Sequence, residues 1–292
     1  MAETRSRSLA VGPVALVVLG LVCQELGAAI AVTVFPQVGA IGMVALRLFF
    51  SALVLMAIFR PRLRGRSRGD WLTVIGFGVV LAVMNALFYS ALNYLHLGTT
   101  LTFEILGPLV LSVVISRRAS SWLWAVLAFA GVALLSRGGF DALNPLGVVL
   151  ALGAGAMWVG YILLSARTGQ RFERLDGLAL AMSIGAVLVL PFGVLSAGPA
   201  IVHPPVLLFG FAVALLSSAI PYGLELLALR RLPASTFSIL LSLAPALGAI
   251  TGLIILGQQL EWLDAAAIAL VVLASMGAVR AASKRAAAEP LA

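Results

Sequence analysis

The stretch ALNYLHLGTTLTFEILGP, Ala91 to Pro108, comes back 137 residues later as ALRRLPASTFSILLSLAP, Ala228 to Pro245. In that register Ala-Leu falls on Ala-Leu, Leu95 on Leu232, Thr99 on Thr236 and Pro108 on Pro245. Each copy marks a place where one apolar run ends and the next begins, so the match is a statement about architecture. Around these copies the chain is 62% hydrophobic and only 10% charged over 292 residues, with a mean hydropathy of +1.13. Water-soluble globules do not reach such values, and the chain reads as a membrane protein.

Runs of roughly 20 apolar residues cross about 30 Å of hydrocarbon as helices. Ten are predicted: Val11–Phe35, Val38–Phe59, Leu72–Leu92, Leu97–Ser116, Trp122–Ser136, Pro145–Leu164, Leu178–Ser196, Val206–Leu229, Ala234–Leu256 and Leu263–Val279. They are continuous rather than alternating, which favours helices over a barrel, because a helix satisfies its backbone within its own segment. The first copy of the repeat lies at the junction of spans three and four, the second at that of spans eight and nine. Each half, residues 1–140 and 141–292, therefore holds five spans. An odd number turns the second half upside down relative to the first, and inverted halves of this kind place a substrate site between them near the midplane.

The charges agree. A net charge of +8 and a pI near 11.0 would suit a nucleic-acid binder, but the basic residues form no patch. Seventeen lie in one set of loops and the two tails: Arg5, Arg7, Arg60, Arg62, Arg64, Arg66, Arg68, Arg117, Arg118, Arg167, Arg171, Arg174, Arg230, Arg231, Arg280, Lys284 and Arg285. The opposite loops hold Arg137, beside Asp141, and otherwise His96, His203, Glu261 and Asp264. This positive-inside pattern puts both termini in the cytoplasm and accounts for the pI without nucleic acid. Asn93-Tyr94, in an outer loop, is replaced at the same repeat position by Arg230-Arg231 in an inner one, as inversion requires. Cys23 is the sole cysteine and lies within span one, so no intrachain disulfide can form.

Four ionisable residues lie well inside spans: Glu25, Arg47, Glu104 and Glu225. Each costs about 3 kcal/mol at a helix centre on an insertion scale. Three acids and one base cannot all pair, so at least one carboxyl must find water, a proton or a ligand. A carboxyl taken out of water favours its protonated form, which suits proton exchange. Pro108, Pro221 and Pro245 each lack the N–H that would bond the carbonyl four residues earlier, freeing the oxygens of Glu104, Ser217 and Leu241. In SSAIPYGLE, Tyr222 and Glu225 share a helix face. Trp158 and Tyr161, in the glycine-rich GAGAMWVGY of span six, line a cavity or face neighbouring helices; Gly248 and Gly252 permit close helix approach.

A small zwitterion needs an anion for its ammonium and a cation for its carboxylate; Glu104 or Glu225 can supply the first and Arg47 the second. Enzyme chemistry finds no support, since both histidines fall in predicted outer loops and neither a Gly-x-Ser-x-Gly, a His-Glu-x-x-His nor a metal-ligand cluster is present. No cofactor or metal is expected. One internal dyad already supplies both halves of a site, so an oligomer is not required. The alternatives are a carrier of other metabolites or amphiphilic drugs and, in another class, a channel or a membrane scaffold.

Several stretches carry a resemblance: VFPQVGAIGMVALRL (Val34–Leu48), LGTTLTFEILGPL (Leu97–Leu109) with SRR (Ser116–Arg118), LALGAGAMWVGYIL (Leu150–Leu163), and the long block from Ser217 to Leu260. They resemble EamA-type carriers of the drug/metabolite transporter superfamily and, within it, the threonine/homoserine exporters. The resemblance implies export of small amino acids across a bacterial cytoplasmic membrane, against inward proton flow. Two positions depart from the family pattern, which commonly has a glutamate just before the span-nine proline and Leu-Gly-Glu at the end of that span. Here they are Ala244 and Gln258.

Overall fold

Two helical arms that meet at Gly39 make up α1 (Ala2–Phe59) and carry the first two predicted spans. Within it Gly39 adopts φ 70° and ψ 169°, a conformation open in practice only to glycine. Glu25 and Arg47 would stand about 33 Å apart on a straight helix, yet they line the same cavity, so α1 folds back on itself at Gly39. The sequence predicts a break at Pro36-Gln37; the chain instead stays helical through these residues and reverses at Gly39, whose positive φ a Cβ would oppose.

The computed structural model describes residues 2–116, 119–135, 143–173, 175–229, 231–232 and 234–286. Arg117, Arg118, Arg137, Asp141, Arg174 and Arg230, which enter the charge pattern, lie outside these. After α1 come α2 (Arg68–Ala91), α3 (Leu97–Glu104), α4 (Leu106–Ser116), α5 (Ala119–Leu135), α6 (Pro145–Arg171) and α7 (Asp176–Ala197). Then follow α8 (Pro204–Ala214), a π-helical turn (Leu215–Ala219), α9 (Ile220–Leu229), α10 (Ala234–Leu241), α11 (Ala244–Leu256) and α12 (Trp262–Ala286). The described residues form no strand. Seven of their helices are long and apolar enough to cross a membrane, the first of them 48 residues from Gly12 to Phe59; Leu97–Leu111 and Trp122–Leu134 are shorter apolar helices. The chain is an all-helical, multi-pass membrane protein.

Local signals set several boundaries. Ser67 and Asp70 close a capping box at the start of α2, and the Asn144 side chain accepts from the Leu146 and Gly147 amides ahead of Pro145 in α6. The predicted fourth span is split at Ile105 into α3 and α4, and the ninth at Ser242-Leu243 into α10 and α11. Both breaks lie just before a proline, where the helical ladder loses a donor. Shifted by the repeat interval, α3 and α10 begin and end at the same positions.

Packing joins the front of the chain to the back: the second arm of α1 lies on α7, α2 on α6 and α7, α3 on α11, and α5 on α12. Small residues make these approaches possible. A Cβ on Gly78 would stand 2.7 Å from the Ala181 carbonyl, one on Gly98 would strike Ala249, and one on Gly193 would strike Ala45. Gly248 lies against Leu101 and Gly252 against the Gln258 side chain.

Candidate functional site

Arg47, on the second arm of α1, is held from two sides. Its Nη1 donates to the Tyr89 hydroxyl at 3.1 Å, its Nη2 donates to the Ser217 carbonyl at 3.1 Å, and the guanidinium lies 5.3 Å from the centre of the Tyr89 ring. The Ser217 oxygen is free to accept because Pro221 has no N–H to offer it. Around it the helix widens into the π turn, with the Ile220 N–H reaching back to the Leu215 carbonyl; such bulges recur at functional sites. The Arg47 Nε and the Ser217 and Ser218 hydroxyls are buried with no hydrogen-bond partner among the described residues.

Beside Arg47 is a cavity of about 70 Å³ lined by Gln24, Glu25, Ala28, Arg47, Met84, Asn85, Phe88, Leu101 and Glu104. Glu25 is 1% exposed, and both its carboxylate oxygens are buried without a hydrogen-bond partner. Glu104, 7% exposed, is the last residue of α3, where the chain breaks ahead of Pro108. A Cβ on Gly155 of α6 would come within 2.5 Å of its backbone oxygen, so α6 fits against that break only through a glycine. Among the described residues neither Glu25 nor Glu104 lies within ion-pair distance of Arg47; the recorded pairs are elsewhere. One cation, two carboxyl groups and two side-chain amides thus face one small space walled by Phe88, Leu101 and Met84.

A second cavity, of about 190 Å³, is lined by Phe77, Tyr161, Ser165, Thr168, Gly169, Phe172, Leu175, Gly177, Leu178, Tyr222 and Glu225. The Tyr161 and Tyr222 hydroxyls hydrogen-bond one another, and the Phe77 and Tyr161 rings stand 5.3 Å apart. At the α6–α7 end of this cavity Arg66 lies 4.6 Å from the Phe172 ring centre and 4.0 Å from Asp176, and Arg171 pairs with Asp70 at 3.3 Å.

The sequence offers Glu104 and Glu225 as alternatives for one site. The structure separates them: Glu104 shares its cavity with Glu25 and Arg47, Glu225 shares the other with Tyr161 and Tyr222. Trp158 is half-buried on α6 and lines neither cavity. Pro245 is buried at the start of α11, next to Ala244, which packs in an apolar cluster with Val17, Leu21 and Ala228. Gln258 accepts the Leu97 amide at 3.1 Å, tying the end of α11 to the first residue of α3. Sequence reasoning passed over Gln24, Asn85 and Tyr89. Asn85 did leave a signal, as the lone amide in VLAVMNALFYS; its side-chain nitrogen donates to the Leu81 carbonyl at 2.8 Å. Among the described residues no cluster of His, Cys, Asp or Glu is placed to hold a metal ion.

Buried charge around cavities inside a bundle of apolar helices is the make-up of a membrane transporter. Residues 145–280 match the EamA-like transporter family. Threonine/homoserine exporter RhtA of Escherichia coli (strain K12) is 39% identical, with 91% of this chain and 90% of that one covered, and RhtA of Salmonella typhimurium (strain SL1344) is alike in identity and coverage. A protein of known crystal structure aligns with a TM-score of 0.63 over 93% of this chain and 98% of its own, at 20% sequence identity, a likeness of fold. The chain belongs to the EamA-like transporter family.

Proposed function

We propose that this protein exports small amino acids such as threonine and homoserine out of the bacterial cytoplasm, across the inner membrane, in exchange for protons. Two inverted halves, residues 1–140 and 141–292, rock against one another, with the Arg47 cavity walled by the first half and tied to the second through the Ser217 carbonyl. The ten crossings are the two arms of α1, then α2, α3 with α4, α5, α6, α7, α8 with α9, α10 with α11, and α12, with both termini in the cytoplasm. Support for the repeat comes from the helix breaks before Pro108 and Pro245, which fall in the same register.

The observation that carries the cargo reading is the meeting of Arg47, Glu25 and Glu104 in one cavity. An amino acid presents one anion and one cation a few ångströms apart. Arg47 takes the carboxylate: it is the cavity's one basic side chain, and its buried Nε is still without a partner. Glu25 and Glu104 take the ammonium group and, when the cargo has left, a proton. With Ala244 and Gln258 where the family commonly has acids, the carboxyls left within the spans to carry protons are buried Glu25 and Glu104 and half-buried Glu225, the last with Tyr222 and Tyr161 as a second station on the path. The partners are the bilayer, the amino acid and protons, and a monomer suffices.

Purified protein in proteoliposomes tests this by counterflow of labelled threonine or homoserine, with and without a pH gradient. Saturable exchange that a gradient accelerates is expected. Failure to exchange these or any other small amino acid would overturn the reading.

A further inference from the structure

The Glu225 cavity is built for a different chemistry, and we propose that it binds arylalkylammonium ions: protonated amines that carry an aromatic ring and no carboxylate. Glu225 is the only charged side chain on its wall, and four aromatic rings, Phe77, Tyr161, Phe172 and Tyr222, make up much of the rest. A cation against a ring face is attracted by the ring's quadrupole, the more so away from water. On the same wall the half-buried Glu225 carboxyl lacks a countercharge: among the described residues no basic side chain lies within ion-pair distance of it.

Three arginines near it are committed elsewhere. Arg47 is bound to Tyr89 and to the Ser217 carbonyl, Arg66 lies over the Phe172 ring and beside Asp176, and Arg171 pairs with Asp70. The Ser165 and Thr168 hydroxyls donate to the Ile162 and Leu164 carbonyls of their own helix. A zwitterion entering here would leave its carboxylate desolvated and unpaired, which is costly. An amine brings only the charge that Glu225 complements, and its ring meets rings. Exposed Gly169, on the cavity wall, marks an end that opens beside the α6–α7 turn. This inference stands apart from the amino-acid reading of the Arg47 cavity, and either can fail alone.

The test is calorimetric titration of the full-length protein in lipid nanodiscs with 2-phenylethylamine, which is protonated at neutral pH, with its neutral counterpart 2-phenylethanol, and with phenylalanine. The wild-type protein is expected to bind the amine at least tenfold more tightly than either of the others, a comparison that needs no variant. Glu225→Gln should bring the amine down to the level of the alcohol, with a melting curve showing that the variant is folded. Phe77→Leu, which keeps the position apolar and removes a ring, should weaken the amine by about threefold. Equal binding of alcohol and amine would mean an apolar slot, and tightest binding of phenylalanine would mean a zwitterion site. Either result, or wild-type affinity in a folded Glu225→Gln protein, overturns the proposal.

Discussion

The two cavities solve the same electrostatic problem in opposite ways. Around Arg47 the polar groups are crowded: a guanidinium, two carboxyls and two amides face about 70 Å³, and several of their atoms lack a hydrogen-bond partner. Around Glu225 they are sparse: one carboxyl among four rings faces about 190 Å³, with two tyrosine hydroxyls bonded to each other. On the proposed readings the first takes a ligand with two charges and the second a ligand with one. A buried acid is therefore not one kind of site, and what stands opposite it decides what it can hold.

The change that breaks this contrast most completely is at Arg47. Arg47→Gln takes the single cation out of the crowded cavity and should lower threonine counterflow by about thirtyfold or more, since removing one partner of a desolvated charged contact costs about 2–5 kcal/mol. Labelled-substrate counterflow checks it, and near-normal flux would return Arg47 to a structural role. Next in size is Glu25→Gln. It should cut counterflow about tenfold, while the melting temperature holds or rises because an unpartnered buried carboxyl gives way to an amide of the same shape that cannot ionise. A large loss of stability instead would make Glu25 a packing residue.

Between the cavities in sequence and in effect lies Gly155. Gly155→Ala drives a methyl group against the Glu104 carbonyl and should destabilise by about 1–3 kcal/mol, as overpacking does, read as a lowered melting temperature. The smallest effect is expected at the mouth of the Glu225 cavity. Arg171→Gln breaks an exposed ion pair with Asp70 and should leave the melting temperature unchanged, because water already screens that pair.

The helical class, the runs and the proline breaks were legible because each rests on local rules: hydropathy over some 20 residues and a missing N–H at a known position. Even the free Ser217 carbonyl could be read from Pro221, although that Arg47 would claim it could not. The grouping of Glu25 with Glu104, and of Glu225 with Tyr161, was not legible. In a soluble helix one apolar stripe tells which face is buried, whereas here lipid and protein both accept Leu and Val, so the outward and inward faces look alike. Which face meets which is set by glycines such as Gly78, Gly98 and Gly193, whose partners sit more than 100 residues away. Asn85 and Gln24 were readable as oddities in apolar runs but carried no address.

The reversal at Gly39 has a consequence for how the protein is made. Because the turn uses one residue, the two arms of α1 have no tether long enough to let one wait in the bilayer while the other is still being threaded. Entering the bilayer together as a helical hairpin, they would bring Arg47 in facing the cavity that Gln24 and Glu25 of the first arm also line, instead of exposing a lone guanidinium to lipid.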